Sequence, residues 1–244
     1  MNLSRQGRSL GIAALLALMS ASRARSQTFD VSARVEISRQ TSHMHTASPF
    51  ASAANVVVWL TSTQKNMNPA PARPAQVYTL VQKDKMFSPH VLVVPTGSNV
   101  DFPNLDPFFH NVFSLFNGKR FDLGLYEAHT HRTVRFDREG VSYIFCNIHP
   151  EMGAVVVTLS TPYYGVSKPD GTVVLRNVPP GSYRLNVWAE DVANDQLNAI
   201  SRMVEVTARN TQLGTLHLTS TGDVMSNHKN KFGESYAPAT DEPY

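Results

Sequence analysis

Residues 141–152 read VSYIFCNIHPEM, and the fold of the chain can be worked out from this stretch. Its first part alternates and is rich in β-forming residues, so a strand is predicted to end at Cys146. Pro150, four residues later, cannot continue a regular strand, so we expect a tight loop after Cys146. The run AVVVTL at residues 154–159 then resumes as the next strand. The loop therefore joins two neighbouring strands and keeps His149 and Met152 close to the cysteine.

A second histidine lies upstream, in the stretch DFPNLDPFFHNVFSL at residues 101–115. Two imidazoles, one thiolate and one thioether are thus available from His110, Cys146, His149 and Met152. This is the ligand set of a blue-copper electron-transfer site, in which two histidines and a cysteine form a plane with a weak axial methionine. The alternative is that the cysteine is a small buried hydrophobic residue and the methionine fills a gap. A lone cysteine in an exported protein favours the ligand interpretation.

The same stretches resemble a known family. Residues 102–126 (FPNLDPFFHNVFSLFNGKRFDLGLY) and 146–157 (CNIHPEMGAVVV) look like the cupredoxins. They are most similar to the plastocyanin-like and amicyanin-like group, including the methylamine-utilisation-type periplasmic blue copper proteins. The likeness covers roughly residues 75 to 160, about a third of the chain, and the short Cys-x-x-His-x-x-Met loop has the amicyanin spacing.

The resemblance implies a Greek-key β-sandwich that binds one type 1 copper ion. By resemblance, His110, Cys146 and His149 are the equatorial ligands and Met152 is the axial one. Asn111 matches the family asparagine whose side chain tethers the two ligand loops near the thiolate. The resemblance also implies that His149 is the edge through which electrons reach a partner.

Residues 1–26 have the pattern of a secretory signal peptide, with two arginines, an apolar run at 10–19 and small residues before a cleavage site after Ala24 or Ser26. The apolar run is too short to span a bilayer. Removing the segment takes away four arginines and no acidic residue, so the formal net charge falls from +3 to −1. The charge therefore gives no argument for nucleic-acid binding. We expect a periplasmic or secreted protein without a transmembrane anchor.

The C-terminal part predicts a second sandwich. Residues 161–219 contain an Asp-Gly turn and a Pro-Gly-x-Tyr turn between strands, and they resemble the transthyretin-like domains of carboxypeptidase regulatory regions. Such domains begin with two strands that this piece lacks, and segments 29–37 and 55–60 would supply them. We expect the cupredoxin unit to be inserted into the transthyretin-like sandwich. A separate domain at each end, or extra strands on one sandwich, are the alternatives.

The fold class is therefore all-β, a cupredoxin sandwich inserted in or flanked by a transthyretin-like sandwich. The predicted parts are the signal peptide at 1–26, the first transthyretin-like strands at 27–62, a linker at 63–75, the cupredoxin domain at 76–160, the remaining transthyretin-like strands at 161–219 and a disordered tail at 220–244. Two histidine pairs, His43 with His45 and His129 with His131, could capture a second copper ion, although solvated loops are the favoured interpretation.

The predicted function is the transfer of single electrons in the periplasm, with a cytochrome or a dehydrogenase as the partner. No nucleophile elbow, zinc-protease motif or phosphate-binding loop is present, and we expect no enzymatic activity. One alternative is a copper chaperone or storage protein that uses the same ligands. A second alternative is a carbohydrate- or protein-binding module of the cell envelope.

Overall fold

The computed structural model describes residues 27–39, 52–64, 76–115, 118–222 and 228–236. The predicted signal peptide, most of the predicted linker, His43 and His45 lie outside these ranges. The described elements are β1 (Phe29–Arg39), β2 (Val57–Ser62), β3 (Tyr78–Thr79), β4 (Val81–Lys83), β5 (Met86–Ser88), β6 (Val91–Pro95), β7 (Ser98–Pro103), β8 (His110–Ser114), β9 (Phe121–Tyr126), β10 (His131–Phe136), β11 (Gly140–Phe145), β12 (Gly153–Leu159), β13 (Tyr164–Val166), β14 (Thr172–Val178), β15 (Gly181–Trp188), α1 (Asn194–Ile200), β16 (Arg202–Val206) and β17 (Gln212–Ser220).

The all-β prediction is confirmed, because every described element except the short helix α1 is a strand. None of the helical residues that the structure describes forms a segment long and apolar enough to cross a membrane. The helix was not predicted, and it packs against β15 and β17 with Leu197 buried.

The strands between β3 and β12 form an inner sandwich. One sheet has the order β6-β12-β11-β8-β9, and a smaller sheet has the order β10-β7-β3. Apolar residues of both sheets, including Phe102, Phe136, Ile144 and Val156, share one buried core. The hairpin β4–β5 adjoins this core, and its turn residues Asp84 and Lys85 both have positive φ, as a type I′ turn requires.

An outer sandwich combines strands from both ends of the chain. Strand β1 lies between β14 and β17, antiparallel to the first and parallel to the second. Strand β2 lies between β13 and β15, and β16 completes that sheet. Both N-terminal strands are thus hydrogen-bonded to strands that lie more than a hundred residues later in the chain. The domain boundaries given above remain predictions.

Strand β12 joins the two sandwiches into a layered structure. Its residues after the first are all buried, as expected for a β-branched strand covered on both faces. Ala154 and Val156 belong to the inner core, whereas Val155, Val157 and Leu159 belong to the core of the outer sandwich. The five-stranded sheet is therefore packed on both sides, which fixes the loops at its end.

The C-terminal segment differs from the expectation of a disordered tail over residues 220–244. Its described part, residues 228–236, packs against the inner sandwich beside Cys146. The physical reason is that a few specific hydrogen bonds and one stacked ring can order a polar stretch. Such contacts leave no periodic pattern in the sequence.

Candidate metal centre

His110 begins β8, a strand whose five residues are all buried. The loop before it is held by the buried Asn104, whose side-chain amide donates to the Phe108 carbonyl at 2.7 Å and whose oxygen accepts from the Asp106 amide at 3.0 Å. These bonds satisfy polar groups that a buried loop would otherwise leave unpaired. They also fix the direction from which the imidazole of His110 enters the site.

The loop between β11 and β12 carries the remaining predicted ligands. Strand β11 ends at Phe145, one residue earlier than predicted, so Cys146 is the first residue of the loop. The Cys146 amide donates to the Met152 carbonyl at 3.2 Å, and the Met152 amide donates to the His149 carbonyl at 3.1 Å. These two bonds bring both ends of the loop together, so that residues several positions apart converge on one point.

The imidazoles of His110 and His149 and the thiol of Cys146 form a compact buried triangle. The two Nδ1 atoms are 3.1 Å apart, and the Cys146 sulfur lies 3.8 Å from Nδ1 of His110 and 3.6 Å from Nδ1 of His149. A point equidistant from the three atoms is about 2 Å from each, which is close to ordinary metal–nitrogen and metal–sulfur bond lengths of about 2.0–2.3 Å. Within the described residues, this is the group of histidine, cysteine and acidic side chains that could hold a metal ion.

Met152 is fully buried in the same apolar core that contains Cys146. Its thioether completes a donor set of two imidazoles, one thiolate and one thioether, which suits copper in either oxidation state. The residues present therefore fit a copper ion, with three donors at bonding separation from a common centre. The ligand assignment of all four residues remains a prediction.

Asp106 is a site residue that the sequence analysis missed. Its carboxylate lies 2.7 Å from Nε2 of His110, and both side chains are almost fully buried. Burial raises the pKa of Asp106, but the hydrogen bonds from His110 and from the Lys85 and Asp84 amides outweigh it and keep this pKa below its usual value. The ionised carboxylate accepts from Nε2–H, which leaves Nδ1 free to face a metal. An aspartate four positions before a ligand histidine was the available signal.

The side-chain amide of Asn111 donates to Asp122 of β9 at 2.8 Å. The expected tether of the two ligand loops by this side chain stays a prediction. Burial raises the pKa of the Cys146 thiol, and hydrogen bonding from the backbone amides of Asn111, Ile148 and His149 acts in the opposite direction. Hydrogen bonding around a sulfur ligand is the kind of contact that tunes a metal thiolate.

Aromatic packing encloses the two imidazoles. The Phe108 ring lies 5.2 Å from the His110 ring and 5.7 Å from the His149 ring. Burial lowers the pKa of His149, and the neighbouring His110 and Lys85 act in the same direction. A neutral imidazole is the form that can bind a metal.

The structure does not bring the other candidate histidines into this cluster. His129 lies in a turn with φ of 58°, and His131 begins the exposed part of β10. Among the described residues, neither belongs to the cluster of potential metal ligands formed by His110, Cys146 and His149. The less favoured alternative of a second copper site on His129 and His131 therefore gains no support, and the pair His43 and His45 lies outside the described residues.

Comparisons with known proteins give structural neighbours only. No protein-family model and no curated protein matches the chain. A purple cupredoxin from Nitrosopumilus maritimus is 24% identical, covering 34% of this chain and 99% of its own, with a TM-score of 0.31. An amicyanin mutant in its reduced Cu(I) form is 18% identical, covering 42% of this chain and 98% of its own, with a TM-score of 0.33.

A copper-containing nitrite reductase from Thermus scotoductus SA-01 is also similar, at 21% identity and a TM-score of 0.32. The match covers 41% of this chain but 25% of the reductase chain, so the similarity spans only a quarter of that enzyme. The structural neighbours of this chain are thus cupredoxins and a larger copper protein.

Proposed function

We propose that this chain is a mononuclear type 1 copper protein that carries single electrons in the periplasm. The observation that carries the proposal is the buried triangle of two Nδ1 atoms and one sulfur, with sides of 3.1, 3.6 and 3.8 Å. Met152, at the end of the same loop, supplies the fourth donor. Bound copper would supply the one-electron couple between Cu(I) and Cu(II).

The protein's part in this function is to hold the ligands in one arrangement for both oxidation states. Asp106 fixes the orientation of His110, and the two backbone bonds of the Cys146–Met152 loop fix the other three ligands. Burial of Cys146 and Met152 in the apolar core keeps water away from the sulfur atoms. A rigid, dry frame lowers the rearrangement that accompanies gain or loss of an electron.

Exposed apolar residues near the site support a surface for a redox partner. Leu105, Phe109 and Ile148 each adjoin a site residue in the sequence and are exposed. Met86, on the hairpin whose turn binds Asp106, is exposed as well. Exposed apolar groups of this kind mark interaction surfaces. We propose that a periplasmic cytochrome or dehydrogenase docks here.

The burial of the ligands also weighs against the chaperone or storage alternative. Passing copper to another protein requires that incoming ligands reach the ion, and the described side chains of Cys146, Met152 and His110 are inaccessible. The alternative of a carbohydrate- or protein-binding module would leave the buried histidines and cysteine without a role. Electron transfer uses the site as it is built.

We further propose that the outer sandwich is a transthyretin-like unit into which the copper unit is inserted. The pairing of β1 with β14 and β17, and of β2 with β13 and β15, supports this. A role for that unit in selecting the partner rests on analogy of fold.

The first test is the visible spectrum of the full-length protein loaded with Cu(II). We expect an intense thiolate-to-copper band that bleaches reversibly on reduction, and its complete loss in Cys146→Ser, because a hydroxyl cannot replace the soft anionic sulfur. His110→Ala should lose the band as well, whereas His131→Ala, the matched control outside the cluster, should keep it. A colourless wild type, or a blue Cys146→Ser variant, would refute the proposal.

The second test separates electron transfer from storage. Met152→Leu removes the weak axial donor at similar apolar volume, so the reduction potential should rise while copper stays bound. Stopped-flow mixing of the reduced wild type with a soluble periplasmic cytochrome should show rapid oxidation. If no redox partner oxidises it on that timescale, the storage alternative is favoured.

A further inference from the structure

Residues 228–236, which we call the C-terminal clasp, contact the start of the loop between β11 and β12. The Lys231 backbone amide donates to the Asn147 side chain at 2.9 Å, and the Tyr236 hydroxyl donates to the Cys146 carbonyl at 2.9 Å. These partners are the ligand cysteine itself and the residue after it. The clasp is therefore bonded directly to the loop that supplies three of the four proposed ligands.

The first branch of contacts holds Cys146 through its backbone. The His228 ring stacks on Phe145, with ring centres 4.0 Å apart and planes inclined by 10°. Nε2 of His228 lies 3.0 Å from the Tyr236 hydroxyl, so the two side chains support each other. Together they cover Phe145 and fix the carbonyl of Cys146.

The second branch reaches the strand that carries His110. The ammonium of Lys231 lies 2.8 Å from the Asp122 carboxylate, which also accepts a 2.8 Å hydrogen bond from the Asn111 side chain. Asn111 directly follows His110 at the start of β8. A chain of contacts thus runs from Lys231 through Asp122 to the residue next to a proposed ligand.

We propose that Tyr236 and Lys231 are positioning residues for Cys146, and that the C-terminal clasp sets the accessibility and the electronic environment of its sulfur. This inference rests on the proposed function only where it concerns bound copper. Hydrogen bonds from beyond the ligands are known to orient them and tune the metal. One branch ends at Cys146 and the other beside His110, and this distinguishes the clasp from a segment that merely covers the surface.

The first experiment needs no metal, because Cys146 is the sole cysteine of the chain and thiol modification reports on it alone. The rate of reaction with a disulfide reagent is measured in the metal-free full-length protein. Loss of one hydrogen bond should raise the rate about fivefold in Tyr236→Phe and in Lys231→Met, since each bond restrains local opening. Lys229→Met, an exposed neighbour in the same clasp, is the matched control and should react like the wild type.

The second experiment measures the thiolate-to-copper band and the reduction potential of the same variants loaded with Cu(II). We expect a shift in the band and the potential in Tyr236→Phe and Lys231→Met, no shift in Lys229→Met, and partial recovery in Lys231→Arg, which keeps the charge opposite Asp122. Melting temperatures of the metal-free variants should stay close to the wild-type value, which separates positioning from unfolding.

The outcomes distinguish this inference from the proposed function. A wild type without a blue band would refute the proposed function, while the thiol rates would still test the clasp. Thiol rates in Tyr236→Phe and Lys231→Met that equal those of Lys229→Met would overturn the inference. Faster thiol reaction with an unchanged band and potential would overturn the positioning role, because the clasp would then act as a cover only.

Discussion

The inner and outer sandwiches both have apolar cores but differ in the polar groups they bury. Of the ten buried polar or charged residues in the described chain, nine lie between residues 82 and 158, and Ser167 alone belongs to the outer sandwich. Burying a polar group costs free energy unless it is hydrogen-bonded. The inner unit bears that cost at nine positions, among them His110 and His149, and the outer unit at Ser167. Polar burial is therefore concentrated in the unit that holds the candidate metal site.

The two units are nevertheless mechanically coupled. Val155 and Val157 of β12 pack into the outer core, while Ala154 and Val156 face the inner one. The candidate site loop ends directly before this strand. The outer sandwich thus packs against the strand that follows the loop.

The largest effect should come from separating the outer strands. Residues 162–220 alone should fail to fold, because they lack β1 and β2, whereas 27–62 joined to 161–220 by a short Gly/Ser linker should unfold cooperatively. The linker can be short, because Tyr164 pairs with Trp59 and the Thr161 hydroxyl bonds the Leu60 carbonyl. Circular dichroism during urea unfolding checks this. Equal cooperative stability of both fragments would contradict the inserted arrangement.

The contact between β1 and the turn before β14 can be tested in the intact chain by adding one methyl group at Gly171. Gly171 has φ of +80°, and a Cβ there would lie 2.1 Å from the Val35 carbonyl of β1. Gly171→Ala should destabilise the outer sandwich by at least about 3 kcal/mol, from backbone strain and the clash together. Gly214→Ala, with φ of +77° and open space, isolates the strain and should cost about 1 kcal/mol. If both variants unfold at similar denaturant concentrations, the turn at Gly171 is not in tight contact with β1.

Within the inner unit, Asp106→Asn tests the carboxylate behind His110. Copper affinity should fall by about 10- to 100-fold, because the imidazole loses the partner that orients it and raises its basicity. Competition with a chelator measures the affinity. The control is Asp137→Asn, which removes a surface carboxylate paired with Lys119. An affinity for Asp106→Asn equal to that of the control would show that Asp106 has no role in the site.

The smallest effect concerns an ion pair between the units. His90, just before β6, lies 2.7 Å from Glu190, just after β15. The hydrogen bond to Glu190 raises the pKa of His90. Since the folded pKa exceeds the unfolded value of about 6.5, the stabilisation is present below that pH and is lost as the pH rises through the folded pKa.

Glu190→Gln should therefore reduce stability by about 0.5 kcal/mol at pH 5.5, the small size reflecting the partly exposed histidine, and by less at a second pH above the folded pKa of His90. Melting temperatures at the two pH values provide the measurement. The same loss at both values would mean that the pair acts through packing rather than through charge.

Local sequence patterns determined the all-β class, the strands flanking the ligand loop and the convergence of Cys146 with His149. These features depend on alternation, on one proline and on spacing within a dozen residues, so neighbouring residues encode them. His110 lies 36 positions from Cys146, so its role was predicted from its residue type and from the family resemblance rather than from local spacing.

Only the tertiary structure decided which distant groups meet. Asp106 was missed because its role depends on the position of the His110 ring, and the C-terminal clasp was missed because Lys231 and Tyr236 find partners about 90 to 110 residues earlier. The two-sided burial of β12 likewise arises from packing. Hydrogen bonds between distant segments follow from the assembled fold, whereas a sequence read in order displays only the periodicity and spacing that neighbouring residues impose.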